Sequence, residues 1–461
     1  MTGSAESGNR AVEAAASGAA GLMAERLATF RDAQRPETSR TAKSVLLHNL
    51  IVALAAQRMP LPGIQDGAPL PWASEPASLP DRAFAAALRM GARAQHDEHP
   101  RSVTHLGSAV TPAVLAVARP DAEGAQVLAA IATGYQAGGS LGTLVLPFVR
   151  ARGLRATGVV GPIAAAAGAA SMLGLDEART AHAIALAANR AAGFTEVWLA
   201  GSDEWRLQTA AAARDGLESA LWAAGGAEGA PGAIDGRSGL LRALGVTEAD
   251  IAAIVGELGA RLDGPAVIEQ MLLKAHPVCA INQAAVEVTI RLRRGLSAGD
   301  IERIASVQVQ LTDADAAYPG IDADHPPRSW AQAMMDMRRG VAVALANGGV
   351  DVEQLHPATA HVQRLHERID VVGGGADTGR HGAAVTVTLR DGRQLADAAD
   401  GVVVDASRSA EMARVLLPAA GVSEGLATTL PFLVEGIDDR DGFARLCDAL
   451  QEVEPWGSLC R

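Results

Sequence analysis

Apolar residues recur at helical spacing through most of the first 260 or so residues. Apolar positions three and four residues apart predict helices at residues 41–56, 81–93, 111–117, 123–137 and 162–173. Gly174 ends the last of these, and Asp176 with Glu177 opens a further helix that runs to Ala187. Because such alanine-rich helices are apolar on most faces, we expect the inner ones to be buried in a multilayer helical body.

The pattern changes beyond Gly264 and Pro265. Strand-like alternation of apolar and polar residues begins at Val307, Val309 and Leu311. Residues 383–389 and 393–396 flank an Asp-Gly pair that is typical of hairpin turns. Helices are predicted at residues 334–345 and 351–355, and again across residues 407–453.

These patterns predict a mainly α protein with a large all-helical domain and an inserted, smaller α+β domain. We place the first part of the large domain at residues 1–265, the α+β lid domain at 266–400 and the returning C-terminal helices at 401–461. Residues 59–80 are rich in Pro, Gly and Ser and predict a long surface excursion.

Composition narrows the classes of function. A formal charge of −12 disfavours binding to nucleic acid and to anionic membrane surfaces. No apolar run approaches the ~20 residues that span a bilayer, and the N-terminus lacks the pattern of a secretory signal. Three cysteines without paired spacing indicate a reducing compartment. We therefore expect a cytoplasmic protein that acts on a small molecule.

One short segment combines an amine, an imidazole and a turn. It runs from Lys274 through His276 and Pro277 to Gln283. Because Pro277 disfavours helix for the residue before it, we predict an extended chain up to His276 and a helix start near Asn282. Free N–H groups at a helix start favour a carboxylate. The alternative is a solvated lysine beside a packed histidine.

Motifs along the chain resemble, in order, those of the MmgE/PrpD family. The Lys274 segment is similar to the family's Lys-Pro-Tyr-Pro-x-Cys turn. Residues 104–110 are similar to its His-Pro-Gly-Ser stretch, and residues 153–161 to its Gly-Phe-His-Pro-Thr-Gly helix entry. Residues 206–216 lie where the family has Lys-Arg-Leu-His-Ala-Gly, and residues 318–320 resemble a loop of its second domain. The resemblance covers nearly the whole chain.

The resemblance implies both an architecture and a chemistry. In the family, the terminal helices rejoin the large helical domain, and the α+β unit caps the active site at the interface. The chemistry is proton abstraction next to a carboxylate or carbonyl, without a metal or an organic cofactor, followed by dehydration, decarboxylation or epimerisation. We therefore expect a cofactor-independent lyase or isomerase that forms a homodimer.

The resemblance also assigns roles to residues of this chain. His105 matches the family's catalytic histidine, with a helix-capping histidine as the alternative. Lys274 matches the lysine that would bind or polarise a substrate carboxylate. Tyr318 matches a tyrosine that closes over the site, or else packs beside Pro319 in a turn. Seven further residues are expected to bind substrate: Asp97, His99, Arg155, Trp205, Arg206, Gln208 and His276.

Several positions depart from the family pattern. Gln95 and His99 stand where the family commonly has Asp and Thr, and Arg155 replaces a histidine. Arginine cannot act as a neutral base, so Arg155 can only bind or stabilise negative charge. Trp205 replaces a cation and adds a stacking face, while Gln208 replaces a second histidine. We therefore expect a larger or less anionic substrate than 2-methylcitrate, with Trp205 as a wall.

Metal and nucleotide sites are weaker interpretations. The run from His96 to His99 holds four potential ligands, but adjacent positions cannot all point inward, and we predict a partly exposed turn with His99 near the pocket and no metal. Glycine clusters at residues 138–142 and 373–375 lack the strand-loop-helix context of a phosphate loop, and we predict turns.

Three functions compete at this point. The first is a lyase or isomerase of the MmgE/PrpD type that depends on His105 and Lys274. The second is a dehydratase or cyclase on the same fold that acts on a specialised metabolite. The third is a catalytically silent protein that binds a small molecule.

Overall fold

The computed structural model describes residues 18–61, 78–323, 325–376, 381–451, 453 and 456–459. Most of the predicted surface excursion, residues 62–77, lies outside the described residues. The predicted class is confirmed, because helices dominate and the described strands form one small sheet. No helix among the described residues combines the length and apolar character that crossing a membrane requires.

Among the described residues before residue 265, eleven α-helices form the helical body. Their bounds are α1 Ala19–Asp32, α2 Pro36–Ala55, α3 Leu79–Ala92, α4 Leu106–Val117, α5 Gly124–Ala151, α6 Ala156–Met172, α7 Glu177–Ala188, α8 Glu196–Ala200, α9 Glu204–Ala224, α10 Leu240–Ala243 and α11 Glu248–Leu262. The central helix α6 is buried from Ala156 to Ala170, as expected for an alanine-rich inner helix.

Helix α6 begins six residues before the predicted start at Pro162. A proline inside a helix cannot donate to the carbonyl four residues earlier, which is that of Gly158. The Gly158 carbonyl instead accepts a hydrogen bond of 3.1 Å from the Ala192 N–H. A neighbouring segment therefore satisfies the group that the proline leaves free, and the helix continues through it.

The glycine cluster at residues 138–142 is not a turn, so that prediction was wrong. These residues lie inside helix α5. A methyl group on Gly138 would collide with Leu106 and Ala164. The glycines therefore let α5 approach its neighbours α4 and α6 closely.

The α+β unit contains a four-stranded sheet with the order β2-β1-β3-β4. Strand β1 pairs in parallel with β2 and antiparallel with β3, which pairs antiparallel with β4. The strands are β1 Ile304–Gln310, β2 Ile369–Val372, β3 Ala383–Leu389 and β4 Gln394–Ala399. Strand β2 was not predicted, because four residues are too short to show an alternating pattern.

Helices surround this sheet and continue after it. They are α12 Gln283–Arg293, α13 Ala298–Glu302, α14 Asp313–Ala316, α15 Trp330–Met335, α16 Met337–Asn347, α17 Val352–Leu355 and α18 Ala360–His366, followed by α19 Ala406–Ala419, α20 Glu424–Glu435, α21 Gly442–Leu450 and α22 Trp456–Leu459. The predicted helix at 334–345 is two helices, because Asp336 ends α15 and caps α16.

Two large hydrophobic cores and a smaller third cluster around Phe84 divide the described chain. The first takes its buried side chains from Ala19 to Ile268 and again from Val402 to Leu459. The second takes most of its side chains from Val278 to Leu389, together with Trp198 and Trp205. Boundaries near residues 265 and 400 remain our proposal for the domain division.

Candidate active site

A narrow cavity lies between side chains of the helical body and of the α+β unit. Its polar lining consists of His96, Glu98, His105, Arg155, Lys274, Cys279 and Tyr318. Its apolar lining consists of Ala94, Val103, Trp198, Trp205, Ile281, Met334 and Met335. The three predicted catalytic residues and two of the predicted binding residues therefore meet in one place.

The segment from Ala94 to His99 forms one wall, and alternate side chains of it line the cavity. Ala94, His96 and Glu98 contribute to the lining, whereas Asp97 and His99 do not. All five side chains from Gln95 to His99 are buried, so the predicted partly exposed turn is wrong. Among the residues that the structure describes, no three or more His, Cys, Asp and Glu side chains are grouped to hold a metal ion.

Behind this wall, Asp97 belongs to a closed set of hydrogen bonds with Asn49, Tyr135 and Gly107, which we call the Asp97 cluster. The Tyr135 hydroxyl donates to Asp97 Oδ2 at 2.5 Å, and Asn49 Nδ2 donates to the same oxygen at 3.2 Å. The Gly107 N–H donates to Oδ1 at 3.0 Å. Burial raises the pKa of Asp97, while these donors lower it. Asp97 therefore ties helices α2, α4 and α5 together rather than contacting the cavity.

His105 precedes helix α4, and its imidazole does not cap that helix. Its Nδ1 lies 3.0 Å from the backbone oxygen of Asp97 and 3.5 Å from Glu98 Oε2. Because a carbonyl only accepts, Nδ1 carries the proton, and Nε2 keeps a lone pair. Burial, followed by the charges of Lys274 and Arg155, holds the pKa of His105 well below its usual value. His105 is therefore neutral at pH 7 and able to accept a proton.

His96 packs edge-on against His105, with ring centres 4.3 Å apart. Both of its ring nitrogens are buried and lack a hydrogen-bond partner among the described residues. Burial also holds the pKa of His96 well below its usual value. Since buried polar atoms are nearly always paired, two orphaned nitrogens facing a common cavity indicate a place for a ligand's polar group.

Lys274 reaches the cavity from the strand-like bridge between Glu98 and Leu272. The Glu98 N–H donates to the Leu272 oxygen at 2.8 Å, and the reciprocal bond is 2.7 Å. The predicted helix start near Asn282 is confirmed, with a 3-10 turn at Ala280–Asn282 followed by α12. Lys274 is 2% exposed. Burial lowers its pKa, an effect that Glu98 opposes.

Glu98 is held by a histidine from the α+β unit. His381 Nε2 lies 3.0 Å from Glu98 Oε1, and His381 Nδ1 lies 3.0 Å from Asp315 Oδ1. Burial lowers the pKa of His381, but the bonds to Asp315 and Glu98 outweigh it and raise the pKa to about 10. The protonated His381 therefore bridges two carboxylates and leaves Glu98 Oε2 facing His105.

An aromatic wall opposes the histidines. Trp205 stacks on Trp330 at 5.8 Å and lies 5.9 Å from Trp198. The Arg155 guanidinium donates to the Trp205 carbonyl oxygen and lies 5.1 Å from the Trp198 ring centre. Burial lowers the pKa of Arg155 to about 10, so it stays charged at neutral pH. The expected Trp205 wall is present, and Trp198 extends it.

Tyr318 and Cys279 complete the polar lining. Burial raises the pKa of Tyr318 and that of Cys279 to about 12, so both side chains are neutral at pH 7. The ring of Tyr318 also accepts the Arg150 guanidinium at 5.4 Å. A protonated thiol is a poor nucleophile, whereas the Tyr318 hydroxyl can donate a hydrogen bond.

The structure does not bring five predicted binding residues to the cavity. Besides Asp97, His99 bonds Ser102 Oγ at 2.7 Å. His276 bonds Glu287 at 2.8 Å, turned toward helix α12. Arg206 lies over the outer faces of Trp205 and Trp330, and Gln208 bonds the Phe194 carbonyl. Each has a polar or stacking partner that holds it behind the lining.

Sequence reasoning missed several lining residues. His96 and Glu98 were signalled by their two-residue spacing, since alternate side chains of an extended chain point to opposite faces. Trp198 carried a weaker signal as one of only six tryptophans. His381, which holds Glu98 from behind the lining, carried no signal, because it lies 283 residues from Glu98 in sequence.

Comparison with known proteins assigns the family. A family model described as the MmgE/PrpD N-terminal domain matches residues 21–250, and one described as the MmgE/PrpD C-terminal domain matches residues 276–411. A search of curated proteins found no match. The two domain matches cover most of the chain, in the order and along the residues where the motifs resembled that family. The chain therefore belongs to the MmgE/PrpD family.

Proposed function

We propose that this protein is a lyase or isomerase that removes a proton from a carbon next to a carboxylate or carbonyl. Dehydration, decarboxylation or epimerisation can follow from the resulting carbanion-like state. Membership of the MmgE/PrpD family supports the proposal, because that family suggests dehydratase or lyase-type activity.

The observation that carries the proposal is the pairing of a neutral imidazole with a buried ammonium. The Asp97 carbonyl holds the proton of His105 on Nδ1 and so leaves Nε2 as the base. Lys274 lines the same cavity and is 2% exposed. An ammonium in a water-poor cavity can bind the substrate carboxylate and stabilise negative charge that develops beside it.

Other lining groups have supporting roles in this proposal. Tyr318 is neutral and able to donate a proton or a hydrogen bond to a leaving oxygen. Arg155 adds a fixed positive charge, although the Trp205 carbonyl already occupies part of its guanidinium. Glu98 contacts His105 and would stabilise the imidazolium that forms when His105 accepts a proton.

Hydrogen exchange into deuterated water tests the chemistry without knowledge of the product. A panel of hydroxy and keto acids is incubated with the enzyme, and deuterium at the carbon next to the carboxylate or carbonyl is measured by NMR. We expect exchange with at least one compound, and none after His105→Gln. Exchange that persists in His105→Gln, or a panel without any exchange, would contradict the assignment.

We also propose a homodimer, which the family resemblance implies. Val415 on α19 and Phe432 on α20 are 63% and 75% exposed, and these two helices pack together. Light scattering at micromolar concentration would report the mass directly, and a monomer would overturn this part.

A further inference from the structure

The charges around the cavity do not match a highly anionic ligand. Its charged lining side chains are Arg155 and Lys274, which are cationic, and Glu98, which is anionic. Behind Glu98, the charges of His381 and Asp315 cancel each other. The site therefore has one net positive charge to offer.

Only one of the two cations is available to a ligand. Arg155 is already engaged by the Trp205 carbonyl, by Gln208 Oε1 at 3.4 Å and by the face of Trp198. Lys274 lines the cavity and is opposed in charge by Glu98. Because uncompensated buried charge is costly, the net positive charge of the site favours a ligand that brings one carboxylate to Lys274 and disfavours a ligand that brings three.

The apolar side of the cavity indicates what the rest of the ligand is. Aromatic residues make up 3% of the chain, yet Trp198, Trp205 and Tyr318 all line this cavity, and Trp330 supports Trp205 from behind. Met334 and Met335 add polarisable thioethers to the same lining. Rings of this kind bind planar or unsaturated groups by stacking, and thioethers contact ring edges.

We infer that the substrate is a monocarboxylate with an aromatic or otherwise planar apolar group, its carboxylate at Lys274 and its apolar group against Trp198 and Trp205. The inference rests on the proposed function, since it names the substrate class of the same site. It places the carbon next to the carboxylate between Lys274 and the His105 imidazole.

Binding to the wild-type protein gives the first test. Phenylpropionate, butanoate and tricarballylate represent an aromatic monocarboxylate, a small aliphatic monocarboxylate and a tricarboxylate. Titration calorimetry should give phenylpropionate the lowest Kd, with butanoate and tricarballylate each weaker by about tenfold or more. Tighter binding of tricarballylate, or no binding of any probe, would overturn the inference.

The chain's two lysines locate the bound carboxylate. The sequence contains only Lys43 and Lys274, and Lys43 is paired with Asp438 at 2.7 Å far from the cavity lining. Reductive methylation followed by mass spectrometry should show that phenylpropionate slows the modification of Lys274 and leaves that of Lys43 unchanged. Equal rates with and without phenylpropionate would contradict a carboxylate site at Lys274.

Tryptophan substitutions test the apolar half with a matched control. Trp205 and Trp222 lie on the same helix α9, but Trp222 is 45% exposed and outside the lining. Trp205→Leu should raise the Kd of phenylpropionate by about tenfold and leave the Kd of butanoate unchanged, whereas Trp222→Leu should change neither Kd. Equal loss for both ligands in Trp205→Leu would contradict a stacking role. If Trp205→Leu does not fold, Trp198→Phe serves the same comparison.

The outcomes separate this inference from the proposed function. Selective phenylpropionate binding, together with no hydrogen exchange on any acid, would contradict the proposed chemistry and support the inferred ligand class. Hydrogen exchange on a tricarboxylate that binds more tightly than phenylpropionate would support the proposed chemistry and contradict the inferred ligand class.

Discussion

Two polar clusters share the segment from Gln95 to His99, and they differ in how their atoms are paired. In the Asp97 cluster, the carboxylate receives hydrogen bonds from Tyr135, Asn49 and Gly107. On the other face, the cavity cluster of His96, His105 and Lys274 leaves both ring nitrogens of His96 unpaired among the described residues. The Asp97 cluster, His96 and Lys274 are almost fully removed from water, and the His105 side chain is 14% exposed.

Whether a buried polar group is paired distinguishes a structural role from a functional one better than the type of residue does. Aspartate is a common catalytic residue, yet this one is saturated with donors and holds three helices in place. Unpaired buried nitrogen atoms cost free energy, and at a cavity a ligand can complete their bonding. The two clusters are joined by the bond from His105 Nδ1 to the Asp97 carbonyl, so the closed cluster positions the base of the open one.

The largest expected effect is on activity and comes from the cavity cluster. His105→Gln keeps a hydrogen-bonding side chain but removes the base, so hydrogen exchange should fall by about 10²–10⁴-fold. Thermal unfolding should change little, because the glutamine amide can donate to the Asp97 carbonyl that His105 Nδ1 now contacts. His361→Gln, a partly exposed histidine paired with Glu302, is the control and should retain full activity. A His105→Gln variant that keeps its hydrogen exchange would contradict the catalytic role proposed for the cavity cluster.

A large effect on stability is expected from the Asp97 cluster. Asp97→Ala strands buried donors of Tyr135, Asn49 and Gly107, so the free energy of unfolding should fall by about 3 kcal/mol or more. Urea unfolding of the variant and of wild type measures this difference. A stable Asp97→Ala protein that has lost only ligand binding would show that Asp97 serves the site directly.

Acid should lower the free energy of unfolding through two buried histidines near the same segment. Burial lowers the pKa of His48 and that of His99 to about 4. Between about pH 6.5 and pH 4 these two histidines bind more protons in the unfolded state than in the folded state. Their contribution to the free energy of unfolding is therefore complete above about pH 6.5 and is lost as the pH falls towards 4. Urea unfolding between those pH values should show a decrease of a few kcal/mol, with a smaller slope in His99→Gln. An equal slope in both proteins would contradict the assigned pKa of His99.

The smallest effect is expected from Tyr318. Tyr318→Phe removes one hydroxyl and keeps the ring that packs against Arg150. If the hydroxyl assists the leaving group, hydrogen exchange should persist while product formation falls by about tenfold. Unchanged rates for both steps would leave Tyr318 as a packing residue only.

The sequence by itself determined the helical body, most of the sheet and the family, because local periodicity and motifs of adjacent residues predict these features. The spacing of apolar residues predicted helices such as α7 within about a residue, and Pro277 correctly predicted the helix start at Asn282. His105, Lys274, Arg155, Trp205 and Tyr318 were named from motifs, and the fold gathers them around one cavity.

Only the tertiary structure decided which side of each segment faces that cavity. The two-residue spacing of His96 and Glu98 is compatible with a shared face, but sequence could not tell that this face of residues 94–99 lines the cavity while Asp97 and His99 do not. His381 and Trp198 join the site through packing between segments far apart in the chain. Pairing is a property of neighbours in space, and it is pairing that distinguishes a positioning residue from one free to meet a substrate.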